Sequence, residues 1–69
     1  MIELEILEIG TFNEGTFKAR VVGINEVVTC YLHNKERDWD KLYDHMTGIM
    51  KVRGSIMTQG NFLVMEIVN

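Results

Sequence analysis

The sequence predicts a mostly β fold in one domain: a five-stranded barrel with a single helix inserted after the third strand. Three observations carry this. Five segments alternate apolar and polar residues with the period of two that marks a half-buried strand. One segment, between the third and fourth strands, carries an apolar stripe at helical spacing instead. With 69 residues, the chain has room for one hydrophobic core and no second domain, so residues 1–69 are read as a single unit.

The first segment, Ile2-Glu3-Leu4-Glu5-Ile6, sets apolar residues against glutamates. The alternation slips at Leu7-Glu8-Ile9, which predicts a bulge or bend, and Gly10 to Gly15 reads as a turn. The second segment, Thr16–Val22, places Phe17, Ala19 and Val21 on one face and Lys18, Arg20 and Val22 on the other. The third, Val27–His33, places Val28, Cys30 and Leu32 inside, with Val27, Thr29, Tyr31 and His33 outside. Between these two lies the turn Gly23-Ile24-Asn25-Glu26. A two-residue loop pairs Val22 with Thr29, Arg20 with Tyr31 and Lys18 with His33. A four-residue loop pairs Arg20 with Thr29 and Lys18 with Tyr31. Both keep the apolar sets on one side, as a buried face requires.

Asn34 to Met46 follows. Trp39, Leu42, Tyr43 and Met46 fall at i, i+3, i+4 and i+7, an apolar stripe expected to pack on the barrel. Asn34 is positioned as the N-cap, and Thr47-Gly48 supplies a stop. Asp38, Asp40 and Asp44 read as a solvated, salt-bridged face. The fourth segment is Ile49–Met57 and the fifth Asn61–Val68, joined by a tight turn at Gln59-Gly60. That turn pairs Val52 with Ile67, Gly54 with Met65 and Ile56 with Leu63 on the inner face, and sets Arg53 opposite Glu66 outside, a favourable cross-strand charge pair. The fifth strand is apolar on both faces. Met57, Phe62, Val64 and Val68 are expected to point outward and to form an interface with a partner or a second copy.

Composition narrows the functional classes. The chain carries 7 Lys and Arg against 10 Asp and Glu, a formal charge of −3, which argues against a general nucleic-acid coat while leaving room for a local basic face. The single cysteine, Cys30, rules out a disulfide framework and favours a reducing compartment or indifference to redox. No apolar run approaches a membrane span, and Met1-Ile2-Glu3-Leu4-Glu5 has acids where a signal peptide needs bases. The expectation is a cytoplasmic domain with no membrane contact. There is no proline, which suits strand interiors.

The order strand, strand, strand, helix, strand, strand, with Gly48-Ile49-Met50-Lys51-Val52-Arg53-Gly54-Ser55-Ile56 followed by Gly60-Asn61-Phe62-Leu63-Val64-Met65-Glu66-Ile67, resembles OB-fold domains of the anticodon-binding type. The resemblance covers nearly the whole chain. It implies a five-stranded Greek-key barrel whose strand 2–3 face binds oligonucleotides. Gly54 in mid-strand fits a sharp barrel bend. An SH3-like barrel is the alternative; a two-layer α+β sheet fits less well, because one helix covers five strands poorly.

On that face Lys18 and Arg20 are candidates for phosphate contact, Tyr31 for stacking on a base, and Thr29 and His33 for hydrogen bonds. Lys51 and Arg53 extend the positive strip. The competing reading is a solvated sheet face. Cys30-x-x-His33, with His45 beyond, has a metal-like spacing, but a structural zinc site takes four ligands and alternation sends Cys30 inward and His33 outward. No metal, cofactor or catalytic set is expected. The expected function is therefore binding of single-stranded RNA or DNA, with a protein–protein adaptor or oligomerising subunit as the alternative.

Overall fold

Each alternating segment is a strand in the computed structural model, which describes all 69 residues: β1 (Ile2–Ile9), β2 (Thr16–Val21), β3 (Glu26–Leu32), β4 (Ile49–Ile56) and β5 (Asn61–Ile67), with α1 (Lys35–Asp44) between β3 and β4. The strands close into a barrel in the order β1-β2-β3-β5-β4. β3 and β5 run parallel and the other neighbours antiparallel. This closed five-stranded arrangement is compatible with an OB-fold. Every strand contributes to one core, which includes Leu4 and Ile6, Phe17 and Ala19, Cys30 and Leu32, Met50 and Val52, and Phe62, Val64 and Ile67; Leu42 of the helix closes it from below.

The slip in β1 is a bulge: the ladder to β2 shifts between Ile6 and Glu8, and Leu7 turns out to solvent. The β2–β3 hairpin differs from both sequence-derived registers. Val21 pairs with Glu26, Lys18 with Thr29 and Thr16 with Tyr31. The loop is Val22–Asn25, closed by the Asn25 N–H donating to Val21 O at 3.0 Å, with Asn25 at φ 55° and Gly23 at φ 99°. Val22 leaves the hairpin because its N–H donates to Glu3 O of β1. The register moved by an even step, so the inside and outside faces survive.

In the second hairpin Val52 pairs with Ile67 and Arg53 with Glu66, as expected. The register then shifts, so that Gly54 pairs with Val64 and Ile56 with Phe62. One extra residue, Met65, is accommodated on β5 and its carbonyl turns aside to accept from Arg37 Nη2 at 3.1 Å. The bulge reverses the phase of β5. Phe62 and Val64, expected outside, are core residues, whereas Met65 and Ile56, expected inside, are exposed. Met57 and Val68 are exposed as expected. Gly54 is required by close approach: a Cβ there would stand 2.7 Å from Phe62 Cζ.

The helix starts where the sequence indicates, with Asn34 Oδ1 accepting from Arg37 N–H at 3.1 Å, a cap worth about 1 kcal/mol. It is rotated from its expected phase. Leu42 is buried, but Tyr43 and Met46 are exposed and Trp39 is half-buried. The second inward position belongs to Asp38, one turn before Leu42 and 0% exposed. That overturns the solvated reading of this residue: Arg37 donates from Nε and Nη2 to its two oxygens, both at 2.7 Å, and Lys41 lies at 3.6 Å. A buried carboxylate is tolerated only with such partners. Trp39 serves a different purpose. It meets Phe12 edge-on at 5.8 Å and Tyr43 at 6.3 Å, and Lys35 lies over Phe12 while donating to Asn13 O at 2.6 Å. These contacts tie the β1–β2 loop to the helix.

Candidate functional site

The face that alternation singled out is formed by β2 and β3, and the helix leaves it open, since α1 packs at the end of the barrel against β3 and β5. Phe17, Ala19 and Cys30 hold it from within. Lys18 is exposed and sits opposite Thr29. Thr29 is flanked on its other side by Asn61 of β5. One row along, Tyr31 is half-buried between Thr16 of β2 and Leu63 of β5. Lys18, Thr29 and Tyr31 thus share one surface. Thr16, on the same alternating phase of β2 as Lys18, completes it together with Asn61 and Leu63 of β5; the sequence did not reveal the last two because the parallel β3–β5 pairing joins segments about thirty residues apart, beyond the reach of any local pattern.

The other candidates lie elsewhere or are engaged. Arg20 faces outward next to Val27, but its Nη1 donates to Glu5 Oε1 at 2.6 Å. Arg53 is held by Glu66 at 2.8 Å, and Lys51 is opposite Glu3. Both sit on β4, which is separated from β2 by β1 and from β3 by β5, so they do not extend the strip. His33 falls just past β3, exposed, with its N–H donating to Val64 O at 2.9 Å. Glu8 is opposite Lys18 in the β1–β2 ladder, yet Lys18 is in none of the four ion pairs. The open charge of the face is therefore Lys18, with Arg20 reachable only if Glu5 releases it.

Cys30 is fully buried, and burial pushes its thiol up to about 12. A thiol in that state stays protonated at neutral pH, and the protonated form is the unreactive one. His45 Nδ1 is 2.8 Å from Lys41 O, within the last turn of the helix. No three His, Cys, Asp or Glu side chains come together as a metal set. No helix is long and apolar enough to cross a membrane. Comparison with family models, with curated proteins and with solved structures finds no match to this chain.

Proposed function

We propose that the chain is a small OB-fold binding module that holds single-stranded nucleic acid across the outer face of β2 and β3. The supporting observation is the half-buried Tyr31 side chain sharing the outer face of the barrel with exposed Lys18 and with Thr29 and Asn61. The ring provides a stacking surface for one base, Lys18 a phosphate contact, and Thr29 and Asn61 neutral hydrogen bonds.

Magnitudes set the expected strength. One stacked base contributes about 1–3 kcal/mol. Arg20 can join, because an ion pair whose partners are 40% and 48% exposed is worth only about 0–1 kcal/mol, and a phosphate oxygen can take the place of the Glu5 carboxylate. With one or two phosphates held, affinity falls with salt at a slope of roughly −0.7 to −1.4. The affinity is then modest, ~10⁻⁴ M at physiological salt, as for weak nonspecific contacts, and tighter at low salt. The acidic β1 flank, Glu3, Glu5 and Glu8, confines the strand to the β2–β3 side.

Fluorescence anisotropy of labelled oligothymidylate and oligouridylate, at low and moderate salt, tests this. Binding at low salt that weakens with salt and disappears in the Lys18→Glu/Arg20→Glu protein supports the reading. Absence of binding at low salt, or binding indifferent to that double change, rejects it. A protein–protein role draws on a separate observation, the exposed apolar residues Ile24, Ile56 and Met57 at the open end of the barrel.

A further inference from the structure

The outward face of α1 carries two rows of side chains that the core does not take up. Residues three and four apart on a helix are neighbours on its surface. Trp39 and Tyr43 therefore form one row, and Glu36, Asp40 and Asp44 the row beside it. The aromatic row continues onto the β1–β2 loop, since Trp39 meets Tyr43 on one side and Phe12 on the other. Tyr43 is 52% and Phe12 43% exposed, and Trp39 is half-buried.

All three acids of the second row are exposed and enter none of the ion pairs. The cations of the helix are turned elsewhere: Arg37 and Lys41 to Asp38, and Lys35 to the carbonyl of Asn13. Like charges four residues apart destabilise a helix, and this row contains two such pairs. Asp44 is the last residue of α1, at the end of the helix that favours cations. Local choices that work against the fold in this way point to a use outside it.

We propose that this aromatic face docks an arginine-bearing segment of a partner protein. A guanidinium both lies against an aromatic ring and donates paired hydrogen bonds to a carboxylate, a combination that an ammonium matches poorly. Each ring has carboxylates beside it on the helix: Glu36 and Asp40 for Trp39, Asp40 and Asp44 for Tyr43. The two ring centroids are 6.3 Å apart, close to the spacing of about 6.4–6.8 Å between alternate side chains of an extended chain. None of the cavities is lined by these residues, so the face is a rail without the groove that a partner helix needs. The occupant is thus an extended segment with the pattern Arg-x-Arg. A nucleic acid would meet rings for its bases but three carboxylates against its phosphates. A second copy of this chain offers Lys18-x-Arg20 and Lys51-x-Arg53, with one arginine each, and Glu5 and Glu66 already hold both. This interface is independent of the β2–β3 face.

Trp39 is the only tryptophan, so its emission reads occupancy directly. The test is a titration of the intact protein, at low and moderate salt, with short glycine- and serine-flanked peptides carrying Arg-x-Arg, Lys-x-Lys or Glu-x-Glu. The arginine peptide is expected to shift the Trp39 emission to saturation, to bind at least about threefold tighter than the lysine peptide, and to weaken as salt is added. Asp40→Asn/Asp44→Asn should weaken its binding at least about tenfold. That double change removes like charges at exposed positions and does not threaten the helix, so a loss of binding is a loss of contact. The proposal is overturned if the arginine peptide leaves the emission unchanged at low salt, if the lysine or glutamate peptide binds as tightly, or if the double change has no effect. It is also overturned if a short oligothymidylate shifts the emission and the arginine peptide does not, or if sedimentation shows self-association that the double change abolishes, since a nucleic acid or a second copy would then be the occupant.

Discussion

Gly54 lies against the ring of Phe62, so closely that a Cβ on residue 54 would stand 2.7 Å from Cζ and also collide with the carbonyl of Leu63. The β4 bend and the inward turn of Phe62 are two sides of one arrangement. Gly54→Ala is expected to cost about 3 kcal/mol, at the upper end of overpacking effects, and a 69-residue domain has little more than that in reserve. Phe62→Leu in the same chain removes the ring conflict but leaves the carbonyl conflict, so the double variant should recover less than half of the loss. Urea denaturation of the three proteins decides it.

Asp38 provides a prediction about acid. Hydrogen bonds from Arg37 hold its carboxyl below the ordinary value of 3.8, against the opposing effect of burial. A carboxyl with a depressed folded pKa stabilises the fold above its unfolded pKa, and that contribution is lost as the pH falls through the folded value. Between neutral pH and pH ~3 the wild-type protein should therefore lose more stability than Asp38→Asn. At neutral pH, Asp38→Ala should cost roughly 1–2 kcal/mol, because Arg37 is half-exposed and can turn to water. Asp38→Leu should cost less, because an apolar side chain suits the buried position. Urea midpoints at the two pH values check both statements.

Cys30 should resist thiol reagents in the folded state. Its reaction rate is expected to follow the unfolding equilibrium, to rise steeply in urea, and to keep the pH dependence of a free thiol between about pH 7 and 9, because the group reacts from the opened chain. Fast labelling of the native protein would show that Cys30 is not in the core.

Glu5→Gln separates charge from stability. It frees Arg20 and removes one acid from the rim of the β2–β3 face. Stability should change by less than about 1 kcal/mol, while oligonucleotide affinity at low salt should rise a few-fold. Unchanged affinity would mean that Arg20 takes no part in binding.

Much of this architecture was legible from residue alternation. The faces of β2 and β3 were readable because Phe17-x-Ala19-x-Val21 and Val28-x-Cys30-x-Leu32 carry a strict two-residue phase. The register between them was not, since any even shift preserves those faces, and it was the bond from Val22 to Glu3 that chose among the possibilities. β5 was misread because Phe62-Leu63-Val64-Met65 is apolar throughout and carries no phase; only the bulge at Met65, held by Arg37, fixes which side is inside. The helix was misread because a hydrophobic stripe cannot foresee a carboxylate among inward positions. Asp38 is there because Arg37 and Lys41 neutralise it locally. In the candidate site, Lys18, Thr29 and Tyr31 were found from the pattern, whereas the capture of Arg20 by Glu5 depends on a ladder that is offset by the Leu7 bulge.

The most direct test of the central claim is a titration of isotope-labelled protein with a short oligothymidylate at low salt, followed by amide chemical shifts. The changes are expected to concentrate at Lys18, Thr29, Tyr31 and Asn61 and to fade as salt is added. Shifts confined to the helix or to the open barrel end, or no shifts at low salt, would contradict it.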